Sequence, residues 1–337
     1  TAARQNSVAN SFPVKYLVIT NEELKPAFQR LANWKTTKGV KSKVLTVEEI
    51  SQKYNDPIMP MRIKRAIMEY KGQVEYVLLG GDVEVVPSLI CPLGPKDKSP
   101  TVDVPADLYY SCFTHLNWDK NQNGIYGEES DRVSYIADIA VSRLSVCKMS
   151  EATSIVNKLI KYEMSPGPGE ISDTLLMCGN FLYDVDTIPL SPGDTIYVSD
   201  SQKYSEELYQ EHIAPYWSGN RMRFFDTFTD FEKGDCYNVS PLHMQEQLSH
   251  GYFLVNEFSH GWIDAWGGLE APDPPDVKFT YENDLAETLI NPNYTTIVSG
   301  ACSVNWFDRE LDSLCLSEAF MRNENSNILA FVGYSRE

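Results

Sequence analysis

The stretch "KYLVITNEELKPAFQRLANWKTTKGVKSKVLTVEEI", residues 15–50, sets the pattern on which the chain is built. It begins with the short apolar run KYLVIT (15–20), which predicts a buried strand. A helical pattern follows and ends at Gly39, a residue type favoured just after the last turn of a helix. A second strand, SKVLTVEEI (42–50), comes next. Strands that alternate with helices in this way predict a parallel sheet covered by helices on both faces.

The alternation continues along the chain and restarts after residue 170. The segment MSPGPGEISD (164–173) has two prolines and two glycines and predicts a linker. We therefore predict two tandem α/β units, residues 1–165 and 170–337, with mostly parallel sheets flanked by helices. The later predicted strands are VEYVLLGGD (74–82), VSYIADIAVSRL (133–144), TLLMCGN (174–180), MRFFDTF (222–228), YFLVNEFS (252–259), TTIVSGAC (295–302) and NILAFVGYS (327–335).

Composition and charge exclude several classes of function. The 337 residues carry a formal net charge of −18, whereas a nucleic-acid surface needs clustered Lys and Arg. No run of about 18 apolar residues is present, so we expect no membrane insertion. The start of the chain lacks the apolar core of a signal peptide. The seven cysteines include no CxxC pair and suggest neither a zinc site nor a dense disulfide framework.

The tripeptide Ser-His-Gly occurs twice, at residues 249–251 and 259–261, on either side of one predicted strand. His250 precedes this strand and suits the C-terminal end of a helix. His260 follows it, at the edge where open parallel sheets carry their active-site groups. The next strand delivers Cys302 to the same edge, so the two side chains are expected to be neighbours.

A cysteine beside a histidine is the arrangement that a thiol nucleophile needs, because the imidazole takes up and returns the thiol proton. Gly261 has no side chain, so its N–H can approach a developing oxyanion, with the N–H of Cys302 as second donor. The residues alone also permit the alternative of a buried structural cysteine and an ordinary loop histidine.

Several segments follow one another along the chain: residues 16–50, YVLLGGDVEVVPS (76–88), ADLYYSCF (106–113), NWDKNQNGIYGE (117–128), DIAVSRLSV (138–146), YFLVNEFSHGWIDAW (252–266), IVSGACSVNWFD (297–308) and CLSEAFM (315–321). Through these ordered segments the chain resembles the gingipain family of bacterial cysteine peptidases (C25), which has a caspase-like fold. The resemblance implies a caspase-like three-layer sandwich and an endopeptidase that forms a thioester acyl-enzyme. It assigns Cys302 as nucleophile, His260 as general acid and base, and the Gly261 N–H to the oxyanion hole.

The resemblance implies further roles that residue spacing alone does not. Asp138 takes the place of an acid that orients the imidazole, and Glu151 falls near an acid of the specificity pocket. The family is secreted or attached to the cell surface and acts on polypeptides. It also has a segment after the strand at 327–335 that closes this pocket. We therefore expect a further C-terminal segment or chain to complete the pocket.

The loop DKNQNGIYGE (119–128) reproduces the first half of an EF-hand-type calcium loop. Its predicted ligands are oxygen atoms at alternating positions, followed by a glycine turn and a main-chain carbonyl. The twelfth position is Ser130, so the final carboxylate must come from Glu128, Glu129 or Asp131. The family commonly carries calcium here, which favours a structural Ca²⁺. The predicted ligand set is Asp119, Asn121, Asn123, Ile125 and Glu128.

Two other functions are compatible with parts of the sequence. One is a catalytically inactive, calcium-stabilised binding module that keeps the caspase-like fold. The other is a nucleotide-binding α/β protein, suggested by LLGGD (78–82). No glycine-rich phosphate-binding motif follows a strand, so the sequence favours the peptidase.

Overall fold

The computed structural model describes residues 13–93, 102–164, 173–183, 185–191, 194–226, 236–237, 239–269, 277–309 and 314–336. The chain divides into two compact units, Thr1–Ile160 and Lys161–Glu337. Most of the predicted linker at 164–173 lies outside the described residues.

The first unit contains a four-stranded sheet, in the order β2-β1-β3-β6 along the sheet, in which every strand pairing is parallel. The predicted parallel sheet is therefore confirmed for this unit. A two-stranded antiparallel hairpin, β4–β5, lies outside this sheet. The elements are β1 (Tyr16–Thr20), α1 (Lys25–Thr37), β2 (Ser42–Thr46), α2 (Val47–Lys53), α3 (Met59–Met68), β3 (Tyr76–Gly80), β4 (Ile90–Leu93), β5 (Val102–Pro105), α4 (Leu108–Ser111), β6 (Ala140–Leu144) and α5 (Met149–Met164).

The second unit is built on a parallel sheet with six strands among the described residues, in the order β11-β10-β7-β12-β16-β17. Two smaller antiparallel sheets accompany it, β8–β9 and β13–β14–β15. The elements are β7 (Thr174–Gly179), β8 (Val185–Ser191), β9 (Asp194–Ser199), α6 (Asp200–Leu208), β10 (Asn220–Asp226), β11 (Cys236–Tyr237), α7 (Pro241–Ser249), β12 (Leu254–Phe258), β13 (His260–Gly261), β14 (Ala265–Leu269), β15 (Val277–Glu282), α8 (Asn283–Thr288), β16 (Thr295–Ser299), α9 (Leu316–Arg322) and β17 (Ile328–Val332).

The central strands of both sheets are apolar because helices cover them. Leu17, Val18 and Ile19 of β1 are completely buried, as are Leu176 of β7 and Val255 of β12. Burial of such side chains stabilises each by about 1.5–3 kcal/mol relative to exposure. Each unit therefore has its own apolar core. No helix in the described ranges is long and apolar enough to cross a membrane.

Two parts of the second unit differ from the sequence prediction. The described residues of 260–282, for which the sequence predicted no strand beyond residue 259, form the antiparallel strands β13, β14 and β15. The hairpin β8–β9 was also not predicted. Strand β14 (AWGGL) contains two glycines and strand β8 (VDTIPLS) contains a proline, and both residue types favour loops in a sequence. The prediction for His250 is confirmed, because this residue directly follows helix α7 as its C-cap.

Candidate active site

His260 lies at the carboxyl end of strand β12, where the chain leaves the large parallel sheet. It belongs to the short strand β13, in which His260 pairs with Gly267 of β14. The imidazole is half-buried. The residue is therefore fixed from two sides, by the end of the large sheet and by a small antiparallel sheet.

Cys302 follows strand β16, which is the direct neighbour of β12 in the large sheet. It is a free, half-buried thiol. The next residue, Ser303, has φ 59°, a left-handed conformation that is uncommon for residues other than glycine. The N–H of Ser303 donates to the Arg336 carbonyl at 3.3 Å, and the N–H of Asn305 donates to the Tyr334 carbonyl at 3.0 Å. The chain thus turns sharply at the cysteine, and residues after β17 hold this turn in place.

Gly261 lies against the backbone of Cys302. A Cβ atom placed on Gly261 would lie 2.1 Å from the Cys302 carbonyl oxygen and 2.7 Å from the Cys302 nitrogen. Contacts this short do not occur, so the position has room for glycine alone. The structure therefore brings the segment 260–261 and the segment 301–302 into direct contact.

The imidazole of His260 has a main-chain partner. Its Nε2 lies 2.9 Å from the carbonyl oxygen of Leu182, which follows strand β7. Because a carbonyl only accepts hydrogen bonds, Nε2 carries the proton and Nδ1 keeps its lone pair in the neutral ring. The ring of Tyr183 packs edge-on against the imidazole, with 4.8 Å between the ring centroids. This arrangement fixes both the tautomer and the orientation of the ring.

A buried polar group links the two strands that lead to His260 and Cys302. Glu257 of β12 is completely buried, and its Oε2 accepts a hydrogen bond from the Ser299 hydroxyl of β16 at 2.6 Å. The Ser299 oxygen also accepts from Trp266 Nε1 at 3.0 Å and from the Ala301 N–H at 3.2 Å. Its two lone pairs are then occupied, so its single proton must point to Glu257. Burial raises the pKa of Glu257 to about 7, although bonds from Ser259 and Ser299 oppose this rise.

Asp138 is placed differently from the sequence prediction. It was expected within an apolar strand that covers 133–144, but β6 begins only at Ala140 and Asp138 is exposed. Its N–H donates to the Ser111 carbonyl at 2.9 Å, and its Oδ2 accepts from the Phe113 N–H at 2.6 Å. These bonds hold the segment against residues 111–113 and keep it out of the sheet. The proposed partnership of Asp138 with the imidazole stays a prediction.

Glu151 contributes to the start of helix α5. Its Oε2 accepts hydrogen bonds from the N–H groups of Cys147 at 3.0 Å and Lys148 at 3.2 Å. A carboxylate at this end of a helix satisfies main-chain donors that have no partner inside the helix. The predicted role of Glu151 in a specificity pocket stays a prediction.

The predicted calcium ligands occupy one compact loop of the first unit. The two carboxylate oxygens of Asp119 accept the N–H groups of Asn123 at 2.9 Å and Gly124 at 3.0 Å. Glu128 Oε1 accepts from the side-chain amides of Asn121 at 2.5 Å and Asn123 at 2.9 Å. Ile125 follows this turn and is exposed at its side chain. Four of the five predicted side chains thus share one hydrogen-bonded network.

Asp131 adds a further carboxylate to this loop. It is completely buried, and its Oδ1 accepts the Lys120 N–H at 2.6 Å and the Asn121 N–H at 3.3 Å. Its Oδ2 is buried with no hydrogen-bond partner among the described residues. Within those residues no three Asp, Glu, His or Cys side chains lie close enough to hold a metal by themselves. A cation here would therefore need amide and main-chain oxygens as well, which is the ligand type that Ca²⁺ accepts.

The sequence model of Peptidase family C25 matches residues 9–337, nearly the whole chain. The chain belongs to that family. Two curated relatives from Porphyromonas gingivalis are Lys-gingipain HG66 and Lys-gingipain W83, each 22% identical to this C25 chain. Each alignment covers 96% of the C25 chain and 16% of the relative. The chain therefore spans about a sixth of the length of the curated relatives it matches.

Solved structures similar to the C25 chain support its fold. The structure of gingipain R (RgpB), an Arg-specific cysteine proteinase, gives a TM-score of 0.61 at 19% identity. The alignment covers 92% of the C25 chain and 60% of the RgpB chain. The complex of the Porphyromonas gingivalis RgpB pro- and mature domains gives a TM-score of 0.62 at 16% identity. That alignment covers 95% of the C25 chain and 62% of the chain in the complex. The predicted caspase-like fold with mostly parallel sheets is thereby confirmed.

Three features of the site were not predicted from the sequence. They are the Leu182 carbonyl on His260, the buried Glu257 beside Ser299, and the left-handed Ser303 after the cysteine. Only Glu257 left a signal, because a charged residue inside an apolar strand is rare without a partner.

Proposed function

We propose that the chain is a cysteine endopeptidase in which Cys302 is the nucleophile and His260 is the general acid and base. The observation that carries this proposal is the contact of Gly261 with the Cys302 backbone. It joins the end of β12 to the end of β16 and so brings the two reactive residues to one edge of the sheet. Membership of a peptidase family supports the same reaction.

The proposed reaction runs through a thioester. His260 takes the proton from the Cys302 thiol, and the sulfur attacks the carbonyl carbon of the substrate peptide. N–H groups of Gly261 and Cys302 stabilise the oxygen anion of the tetrahedral intermediate. The imidazolium then gives its proton to the leaving amine, and the C–N bond breaks. Water, deprotonated by the same imidazole, hydrolyses the thioester and releases the acid and the free thiol.

We propose further that the substrates are polypeptides and that the protein acts outside the cell, secreted or at the cell surface. A panel of peptides that differ only in the residue before the cut measures the side-chain preference. By their names, the relatives include Lys-gingipains and a similar structure is of an Arg-specific proteinase, so Arg and Lys belong in the panel.

A peptidyl acyloxymethyl ketone tests the catalytic roles. We expect it to form a covalent bond at Cys302, located by mass spectrometry of the digested protein. The bond should be lost in Cys302→Ala and kept in Cys147→Ala, since Cys147 is also a half-buried cysteine outside any disulfide. Labelling that is absent, or equal at both cysteines, would contradict the peptidase. It would support instead the inactive, calcium-stabilised binding module.

We propose in addition that the loop at 119–131 holds a structural Ca²⁺ through Asp119, Asn121, Asn123, Glu128 and the carbonyl of Ile125. The oxygen-rich ligand set supports this proposal, and Asp131 Oδ2 of the same loop is buried with no hydrogen-bond partner among the described residues. Ca²⁺ at a hundred times its dissociation constant should stabilise the fold by about 2.7 kcal/mol. Thermal unfolding with Ca²⁺ and with a chelator measures this shift.

The matched variants are Asp119→Ala in the loop and Asp103→Ala, an exposed acid outside it. The shift should disappear in the first and persist in the second. An equal shift in both variants would contradict the site.

A further inference from the structure

The peptide group between Leu182 and Tyr183 lies between a carboxylate and the imidazole of His260. On one side, Asp200 Oδ2 accepts the Tyr183 N–H at 2.8 Å. On the other side, the Leu182 carbonyl oxygen of the same peptide group lies 2.9 Å from His260 Nε2. Asp200 Oδ1 accepts the Leu182 N–H as well, at 2.9 Å. A continuous chain of hydrogen bonds thus runs from the carboxylate through one peptide plane to the imidazole.

The hydrogen bonds that lead from Asp200 to His260 polarise one another. The N–H and C=O of one peptide group are conjugated, so a carboxylate that accepts the N–H increases the negative charge on the carbonyl oxygen. Each bond in such a chain strengthens the next by roughly 10–30%. The Leu182 oxygen is therefore a stronger acceptor than an isolated carbonyl and holds the Nε2 proton more firmly.

Asp200 is itself rigidly held. It is 8% exposed and forms the first residue of helix α6, whose N-cap Ser199 accepts the Gln202 N–H at 3.2 Å. Its Oδ1 also accepts the Ser201 N–H at 3.0 Å. The first turn of a helix carries partial positive charge, which stabilises an ionised carboxylate there. The side chain is thus fixed in the one position from which it reaches the 182–183 peptide.

We propose that Asp200 is the acidic positioning residue of His260 and acts through the Leu182–Tyr183 peptide group. Its catalytic consequence depends on the proposed peptidase function, whereas the hydrogen-bond chain does not. When the imidazole takes the thiol proton on Nδ1, the positive charge of the ring faces the Leu182 oxygen. Asp200 stabilises this charge through the intervening peptide group, and no proton passes to the carboxylate.

The first test is the NMR signal of the His260 Nε2 proton in the full chain labelled at histidine. The chain has only five histidines, so His260→Gln identifies the signal. In Asp200→Asn one acceptor and the charge are lost, and we expect the Nε2 proton to move upfield and exchange faster with water. The other four histidine signals show whether the fold is kept. Ser205→Ala is the matched control, since this buried hydroxyl of the same helix has no hydrogen-bond partner among the described residues.

The second test is kinetic. We expect Asp200→Asn to lower kcat about ten- to a hundredfold with little change in KM, as loss of a supporting hydrogen-bond partner does at other sites. Ser205→Ala should stay within about twofold of the unmodified protein. An unchanged Nε2 signal together with an unchanged kcat in Asp200→Asn would overturn the inference and leave the peptidase intact. A chain that hydrolyses no peptide would overturn the proposed function, while the NMR signal would still decide the role of Asp200.

Discussion

Glu257 lies completely buried three residues before His260, and its Oε1 has no hydrogen-bond partner in the described part of the chain. Among the residues that the structure describes, no basic side chain contributes to its pKa, which burial raises to about 7 from an ordinary value of 4.5. The carboxyl group is therefore best accommodated in its neutral form. Its bond with Ser299 ties together the strands that end at His260 and Cys302.

We expect the stability of this region to fall as pH rises. The pKa is about 7 in the folded state and about 4.5 in the unfolded state, so between these values the folded state keeps a proton that the unfolded state has lost. The loss begins near pH 4.5 and is complete just above pH 7. The difference of about 2.5 units corresponds to about 3 kcal/mol.

Glu257→Gln should remove most of this pH dependence, because an amide does not ionise. Native-state hydrogen exchange of the β12 amides at pH 5 and pH 8, corrected for intrinsic rates, measures it. Parallel pH dependence in the variant and the unmodified protein would show that Glu257 does not titrate in this range.

Residue roles were predicted from the sequence only where the residue type carries the chemistry. Cys302 and His260 could be proposed because a strand end positions each of them. The partner of the imidazole could not, because it is a main-chain oxygen of Leu182 and any residue type supplies one. Asp138 was wrongly placed in a strand, since Tyr135 and Ile136 are apolar but exposed, at 56% and 78%.

At the level of elements, the two candidate catalytic residues, Cys302 and His260, are positioned by different sheets. Cys302 follows strand β16 of the large parallel sheet, whereas His260 belongs to the small antiparallel sheet β13–β14–β15. Most of the parallel strands were predictable because apolar residues dominate them and helices separate them along the chain. The antiparallel strands were not, because β13 is only two residues long and β14 contains two glycines. Gly261 and Cys302 are the residues at which these two elements meet.

We expect Gly261→Ala to misplace the two reactive residues. The new Cβ would lie 2.1 Å from the Cys302 carbonyl oxygen, so one of the two segments must shift by about an ångström. A displacement of this size can lower a reaction rate about a hundredfold. The rate of Cys302 labelling by the peptidyl ketone measures the effect.

Gly72→Ala is the control for strain alone. Gly72 has φ 80°, a conformation that strains an alanine backbone, but a Cβ there meets no atom within 4 Å. Its labelling rate should match that of the unmodified protein. Equal rates in all three proteins would show that the Gly261 contact does not position the site.

For the whole molecule, the alternation of strands and helices was sufficient to predict two α/β units, since parallel strands need helical crossovers. Net charge is the second property that acts at this scale. With a formal net charge of −18, the chain attracts positively charged peptides at long range, and added salt weakens this attraction.

If the chain cleaves peptides, kcat/KM for a peptide with net charge of about +3 should fall several-fold as ionic strength rises from about 0.02 to 0.5 M. The comparison peptide has the same residue before the cut and no net charge, and its kcat/KM should change little. The same salt dependence for both peptides would exclude electrostatic attraction of the substrate.

The bond between Leu182 and His260 has a consequence for how such sites are recognised. A peptide group has no side-chain identity, so alanine scanning at 182 leaves the acceptor of the imidazole in place. Proline at 183 would delete the N–H through which Asp200 contacts this peptide group, because proline lacks an N–H. Selection can therefore exchange the acid behind this peptide for one on another element without altering the atoms that face the imidazole. Searches for a third catalytic side chain beside the histidine would then find none.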